Sequence, residues 1–373
     1  MKNISIRSTW AVSVLGIISL SLMLIVEFTK RNQTQPYFEE KLAASRLMED
    51  CISTLKEKHF KNEISIDNIN DPNDTRIIGT RYSPITSGRG SLPVKLSTVN
   101  PNFAALLVEL YKDAGVNHGD HIAIGATGSF PALNLAALSA AEVLGLEVTM
   151  IGSITSSSWG ANDPNYTYPD IHNSLVESEL ISQVMTASSI GASQDIGRTL
   201  SPEGRELAAN AISRNGIRFI NNQSLSENII ERMNLFTDRE RTLGKDIKLY
   251  VNIGGGVASL GGNLNAEKIP SALIIDPKLN LFEDKMGVMF EMASHGIPLI
   301  NLRNIQRFMN HYDLPRDPVP LPQAGVGTLF FDERYDMRYV FGSTAILMML
   351  IFSIIVFDKK QNALGNEIVK QEK

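Results

Sequence analysis

Cysteine is all but missing from this chain. Cys51 is the single example, so no disulfide can close within the chain and cysteine usage leaves the redox compartment open. Metal-ligand spacing is missing too: His118 and His121 flank a turn, His172 starts a helix and His295-Gly296 reads as a helix end. A positive surplus is also lacking. With 35 Lys and Arg against 40 Asp and Glu, the net charge of -5 excludes the broad basic surface that nucleic acid binding needs. Any anionic ligand must therefore be held locally.

Long apolar runs are absent from the middle of the sequence and present near both ends. The first runs from Trp10 to Phe28, carries one charge at Glu27, and follows Lys2 and Arg7. At roughly 19 residues it makes about 28 Å of helix, enough to cross a bilayer. It is longer than the apolar region of a cleaved signal peptide, and no small-x-small pattern follows Leu24, so an uncleaved anchor is expected. The second, Tyr339 to Phe357, is uncharged and is bracketed by Arg338 and by Asp358, Lys359 and Lys360. Two spans place both tails on one side of the cell membrane. Lys2, Arg7, Lys359 and Lys360 in the tails, set against Lys30, Arg31, Arg334 and Arg338, favour cytoplasmic tails and an extracytoplasmic central domain.

The chain divides into a short tail (1–9), a transmembrane helix (10–28), an amphipathic membrane-proximal helix (29–62), a connecting segment (63–99), an α/β domain (100–325), a second transmembrane helix (339–357) and a charged tail (358–373). Phe38, Leu42, Leu47, Met48, Cys51, Ile52 and Leu55 recur at helical spacing, which suits a stalk, a dimer contact or packing on the domain. The connecting segment is rich in Asp, Asn, Gly, Ser and Pro between residues 67 and 95, and the compact domain is expected to begin near Asn100. Asn100-Pro101 then opens a helix that ends at Gly115.

Beyond it, strand-like and helix-like stretches alternate. HIAIG is followed by a helix from about Phe130 to Leu144, then LEVTMIG, helices around Asn173 to Ser188 and Pro202 to Arg214, and IRFI. A helix near Leu225 to Leu235, the strand KLYVNIG, a glycine loop, LIID, a helix from about Asp284 to Ser294, the strand IPLINL and a helix to Tyr312 complete the series. The pattern predicts an α/β fold: a mostly parallel, three-layer, Rossmann-like sheet domain between two transmembrane helices. Pro315, Pro318, Pro320 and Pro322 make a stiff spacer before the second span.

In open α/β sheets ligands bind at the carboxyl ends of the strands, which singles out the loops that follow three of them. In the first, Gly125, Thr127, Gly128 and Ser129 turn a strand into a helix whose free amides suit a phosphate or carboxylate. Ser129 is a candidate nucleophile, although Thr127 and Pro131 stand where a nucleophile elbow wants glycine. The second loop gathers Ser157, Ser158, Trp159, Asn162 and Asp163, with Asp163 the candidate acid; Asn162-Asp163-Pro164 also suffices for a tight turn. The third offers Asn252, Gly254, Gly255, Gly256 and Ser259 for close backbone approach to a ligand. It lacks a P-loop lysine and the G-x-G-x-x-G pattern, so nucleotide binding rests on fold analogy alone and no cofactor follows from the sequence. Ser201-Pro202-Glu203 is a helix start, with Arg198 and Arg205 nearby.

Six stretches together carry a family resemblance: GATGSFPALN from Gly125, SSWGANDP from Ser157, LSPEGREL from Leu200, YVNIGGGVASLGG from Tyr250, HGIPLINL from His295 and YDLPRDP from Tyr312. Over roughly residues 80 to 325 the chain resembles the poly-gamma-glutamate system proteins. The resemblance implies an accessory membrane component of capsule or exopolymer synthesis and export, with the poly-gamma-glutamate synthase membrane components, the polymer and the lipid bilayer as partners. It assigns no catalytic residues. Glycine-loop amides suit a polymer that presents a carboxylate on every unit. The alternative is a membrane-anchored hydrolase or transferase acting on γ-glutamyl bonds through Ser129 or Asp163 with a nearby base.

Overall fold

A computed structural model describes residues 9–61, 67, 69–262, 266–267, 269–278 and 287–371. Most of the expected short tail, residue 62 of the expected amphipathic helix, residues 63–66 and 68 of the connecting segment and the expected helix start at 284–286 lie outside the described residues. The chain forms two compact units, residues 36–330 and the two flanking ends together.

Seven strands form the main sheet: β1 His121–Gly125, β2 Glu147–Ser153, β3 Met185–Ser189, β4 Arg218–Ile220, β5 Ile247–Ile253, β6 Leu273–Ile274 and β7 Leu299–Leu302. Their order is β6-β7-β5-β1-β2-β3-β4, parallel throughout except for the antiparallel edge pair β6 and β7. Side chains alternate between two apolar layers, as the two-residue period of a strand requires. Ile122, Ile124, Leu249, Val251 and Ile253 pack to one side, with helices Phe38–Lys61, Asn102–Asp113 and Pro131–Leu144. Ala123 and Tyr250 pack to the other, with helices Leu225–Leu243 and Val288–Ser294, and Ile247 joins them because the register shifts between it and Leu249. Burial on both faces explains why these strands read as near-continuous apolar runs.

From β1 the chain steps outward through β2 and β3 to β4, then returns to the opposite side of β1 as β5. The helix after β1 belongs to one layer, whereas Ala258 and Leu260 just after β5 belong to the other. The loops leaving these neighbours thus diverge, and a crevice opens where the order reverses.

Two expectations change. The helix expected around Asn173 to Ser188 is instead helix Tyr168–Glu177 followed by β3. Thr167 and Asp170 form a capping box with proline in the first turn, which starts the helix early. The Met-Thr-Ala-Ser-Ser run of β3 has no apolar alternation because its last three residues are buried on both sides. The compact unit also begins well before Asn100. Ala44, Met48, Cys51 and Leu55 of helix Phe38–Lys61 are fully buried, and each large apolar side chain so placed stabilises the fold by roughly 1.5–3 kcal/mol. Downstream, Ile77 and Ile85 pack into the same unit, and Leu92–Thr98 is a helix rather than part of a connector.

In the other unit, helices Thr9–Phe28 and Met337–Gln371 are long and apolar enough to cross a membrane. Strand Arg31–Thr34 pairs antiparallel with Phe331–Arg334, from Arg31 opposite Arg334 to Thr34 opposite Phe331. Each strand adjoins one helix, so the helices run as antiparallel neighbours. Asp336 receives ion pairs from Arg31 at 3.0 Å and Arg338 at 2.8 Å beside this ladder. The second helix continues through the charged tail as far as Gln371.

Candidate functional site

The loops after β5, β1 and β2 leave one edge of the sheet side by side, and with two further segments they enclose a cleft of about 640 Å³. Thr127 and Ser129, Ser157, and Gly255 and Gly256 reach it from the three loops. The loop after β1 stitches the floor together: the Gly128 amide donates to Ser153 O at 3.0 Å, the Thr127 hydroxyl donates to Ile253 O at 3.1 Å, and the Ala161 amide donates to Gly128 O at 2.8 Å. The Ser157 amide donates to Ser129 Oγ at 3.0 Å. The amides of Gly255 and Gly256 donate to no acceptor among the described residues.

The remaining sequence candidates lie elsewhere. A Cβ on Gly125 would stand 2.1 Å from Tyr250 Oη, and one on Gly128 2.5 Å from Ile154 O, so these glycines are required by packing. Gly254 adopts φ +89, with Thr127 Oγ1 only 2.5 Å from where a Cβ would be. Asn252 is buried and donates to Asn301 Oδ1 at 2.8 Å, and Ser259 shares a 2.8 Å hydrogen bond with Tyr250 Oη. Asn162 is a buried clamp: Oδ1 accepts from the Thr80 amide at 2.9 Å, and Nδ2 donates to Thr80 O at 2.8 Å and Thr86 Oγ1 at 2.9 Å. Ser158 and Trp159 line a smaller hollow with Arg81, Tyr82 and Arg89. Asp163 is outside the cleft, where Oδ1 accepts from the Asn165 amide at 2.9 Å in a turn.

Of the histidines, His121 and His172 are buried and hydrogen-bonded to Thr149 Oγ1 at 2.7 Å and Gln183 O at 2.6 Å, and burial lowers both pKa values. Arg205 donates to Leu200 O at 2.8 Å, and the Ser201 hydroxyl caps its helix by accepting from Gly204 at 3.0 Å. Among the described residues no three His, Cys, Asp or Glu side chains gather as a metal site.

Two contributors escape the glycine signals. Residues 87–95 form one wall, placed by the short parallel pairing of Thr86–Gly88 with Ser156–Ser157 and by helix Leu92–Thr98. They bring Arg89, which has no acidic partner among the described residues, and Lys95, which is almost fully buried. Lys95 Nζ donates to Ser129 O, lies 2.9 Å from Ser157 Oγ and sits over the Phe130 ring, 3.7 Å from its centroid. Burial without a carboxylate partner pushes its pKa down to about 7. The sequence signal is slight: a lysine between Val94 and Leu96, two residues after Pro93 in the first turn of a helix.

The second contributor is the loop after β3, which supplies Gly191, Ala192, Ser193 and Gln194. Ala192, Gln194 and Asp195 hold φ of +60, +59 and +63, a conformation that side chains rarely adopt. A buried network fixes it. Asp195 accepts from Arg232 Nη2 at 2.9 Å and from Ser189 Oγ at 2.7 Å, and Arg232 also reaches Gly152 O at 3.3 Å.

The lining holds two cations, many hydroxyls and no carboxylate among the described residues. Comparison with family models, curated proteins and solved structures returns no match to this chain. What the cleft can do follows from its own chemistry: fixed N–H and O–H donors beside Lys95 and Arg89 suit an anionic ligand with oxygen acceptors.

Proposed function

We propose that this chain is a two-pass membrane protein of poly-gamma-glutamate synthesis or export, an accessory component whose central domain binds the anionic polymer at this cleft. The observation that carries the reading is local: in a chain with net charge -5, the described residues that line the cleft include no carboxylate and do include Lys95 and Arg89. Such a site grips a carboxylate-bearing chain at one place and leaves the rest of an acidic surface to repel it. The six sequence stretches that resemble the poly-gamma-glutamate system proteins suggest the pathway, and the synthase membrane components are the expected protein partners. A Rossmann-like lineage for the sheet is part of the same reading, supported by the reversal of strand order beside β1.

Antiparallel apolar helices suit two crossings with both tails on one side, and Lys2, Arg7, Lys359 and Lys360 favour the cytoplasm for the tails, with the domain extracytoplasmic. Reporter fusions at both tails and within the domain test this: opposite compartments are expected for tails and domain, and a shared compartment rejects the topology.

The binding test uses the full chain in nanodiscs, titrated with poly-gamma-glutamate and with an uncharged polymer of similar length, and co-purified with synthase subunits. Saturable binding of the anionic polymer alone is expected. Arg89→Glu should weaken it by about 10- to 100-fold, the worth of one charge-assisted hydrogen bond. Absence of both polymer binding and synthase co-purification rejects the proposal.

A further inference from the structure

Within the cleft, one pair of side chains is arranged for more than binding. Ser157 Oγ and Lys95 Nζ stand 2.9 Å apart, the separation of a nucleophile from its base. Each is held by its own contact to Ser129. The Ser157 amide is anchored on Ser129 Oγ at 3.0 Å, and the Lys95 amine is anchored on Ser129 O and against the Phe130 ring. Ser129, which the sequence offers as the nucleophile, thus serves as the acceptor that orients Ser157.

We propose that Ser157 is the nucleophile and Lys95 the general base of an acyl-transfer site whose substrate is an amide bond in a carboxylate-bearing chain. The substrate class rests on the polymer-binding reading of the same cleft; the nucleophile does not. Among the described residues Lys95 has no neighbouring carboxylate to hold it charged, and burial brings its pKa to about 7, so a large fraction is neutral and able to accept a proton near neutral pH. As an ammonium Lys95 donates to both Ser129 O and Ser157 Oγ; once neutral it can keep the bond to Ser129 O and use its lone pair to accept from the Ser157 hydroxyl.

The step balances within these groups and the substrate. Ser157 Oγ bonds to the carbonyl carbon as its proton passes to Lys95 Nζ, and the carbonyl π pair becomes an oxyanion pair. Re-forming the carbonyl breaks the C–N bond, and the departing amine takes the proton from the Lys95 ammonium, leaving a Ser157 ester and a neutral lysine. Water then attacks the ester, giving its proton to Lys95, which returns it to Ser157 Oγ as the acid leaves. An incoming amine in place of water yields transfer in place of hydrolysis.

The test is covalent labelling of the full chain in detergent with a fluorophosphonate probe, the site located by peptide mass spectrometry, alongside polymer titration of the same preparation. Labelling at Ser157 is expected, with a rate rising through an inflection near pH 7. It should vanish in Ser157→Ala and fall by about 100-fold or more in Lys95→Met, the range of general-base contributions. Locating the label on the unmutated chain keeps the result independent of how either variant folds. Polymer binding with no label on Ser157 overturns the acyl-transfer proposal and leaves the binding function standing. Labelling without polymer binding supports the nucleophile and overturns the substrate class.

Discussion

The two walls of the cleft rest on different physics. Residues 125–130, 156–162 and 252–256 owe their course to glycines at points where backbone crosses backbone, and on that side Gly128 and Gly160 are within contact range of Ile154 O and Ser156 Oγ. Residues 87–95 are an ordinary polar segment with a short helix, yet both cations come from there. One wall carries shape and the other carries charge. A glycine-rich loop therefore announces steric crowding first, and a ligand only where, as at Gly255, none of the described residues stands opposite.

Between the walls, the strained loop after β3 is held by charge, and breaking that hold should have the largest effect. Asp195→Ala leaves Arg232 buried without its partner and should cost about 3–5 kcal/mol in denaturant unfolding. A cost below ~1 kcal/mol would mean the network does not set the loop. On the shape side, Gly128→Ala forces a Cβ to within 2.5 Å of Ile154 O and should cost about 1–3 kcal/mol by the same measurement.

The charge side is tested by pH. Lys95 in the unfolded chain keeps its proton up to the ordinary value of 10.5, whereas in the folded protein it gives it up at about 7. The folded state thus binds fewer protons between those limits. Stability from this site rises with pH across the window, by up to ~1.4 kcal/mol per unit, and is flat below it. Lys95→Met should accordingly gain most over the unaltered chain at pH 6 to 7, and the gain should shrink toward pH 10. A gain independent of pH would show that Lys95 keeps its proton in the folded protein as it does in the unfolded chain. Smallest of all, Gly255→Ala has open space around the added methyl and should change stability by no more than about 0.5 kcal/mol. If it matched Gly128→Ala, the distinction between the walls would fail.

Much of the sheet was legible because buried parallel strands such as HIAIG and IKLYVNI are mostly apolar, and helices such as Pro131–Leu144 carry proline at the start and glycine at the end. β3 was illegible for the opposite reason: Ala187, Ser188 and Ser189 are small enough to be buried on both faces without any apolar pattern. At the site, glycine and hydroxyl signals found Thr127, Ser129, Ser157, Gly255 and Gly256, since local turn chemistry is written locally. Asp163 and Asn162 share that chemistry and serve turns and clamps instead. Lys95 was missed because its meaning is tertiary: only the packing of residues 87–95 against Ser157 brings an amine to a hydroxyl 62 residues away.

The compact unit opens and closes at one spot. Phe38 meets Phe330 edge to face with ring centres 6.0 Å apart, and Lys41 Nζ donates to Leu329 O at 3.0 Å. A polypeptide whose ends touch is a nearly closed ring. It can be excised from its apolar flanks, joined head to tail through a brief linker and reopened at an exposed turn with strand order intact. A circular permutant of residues 36–330 would thus carry the crevice into aqueous solution, where its ligands can be weighed without lipid.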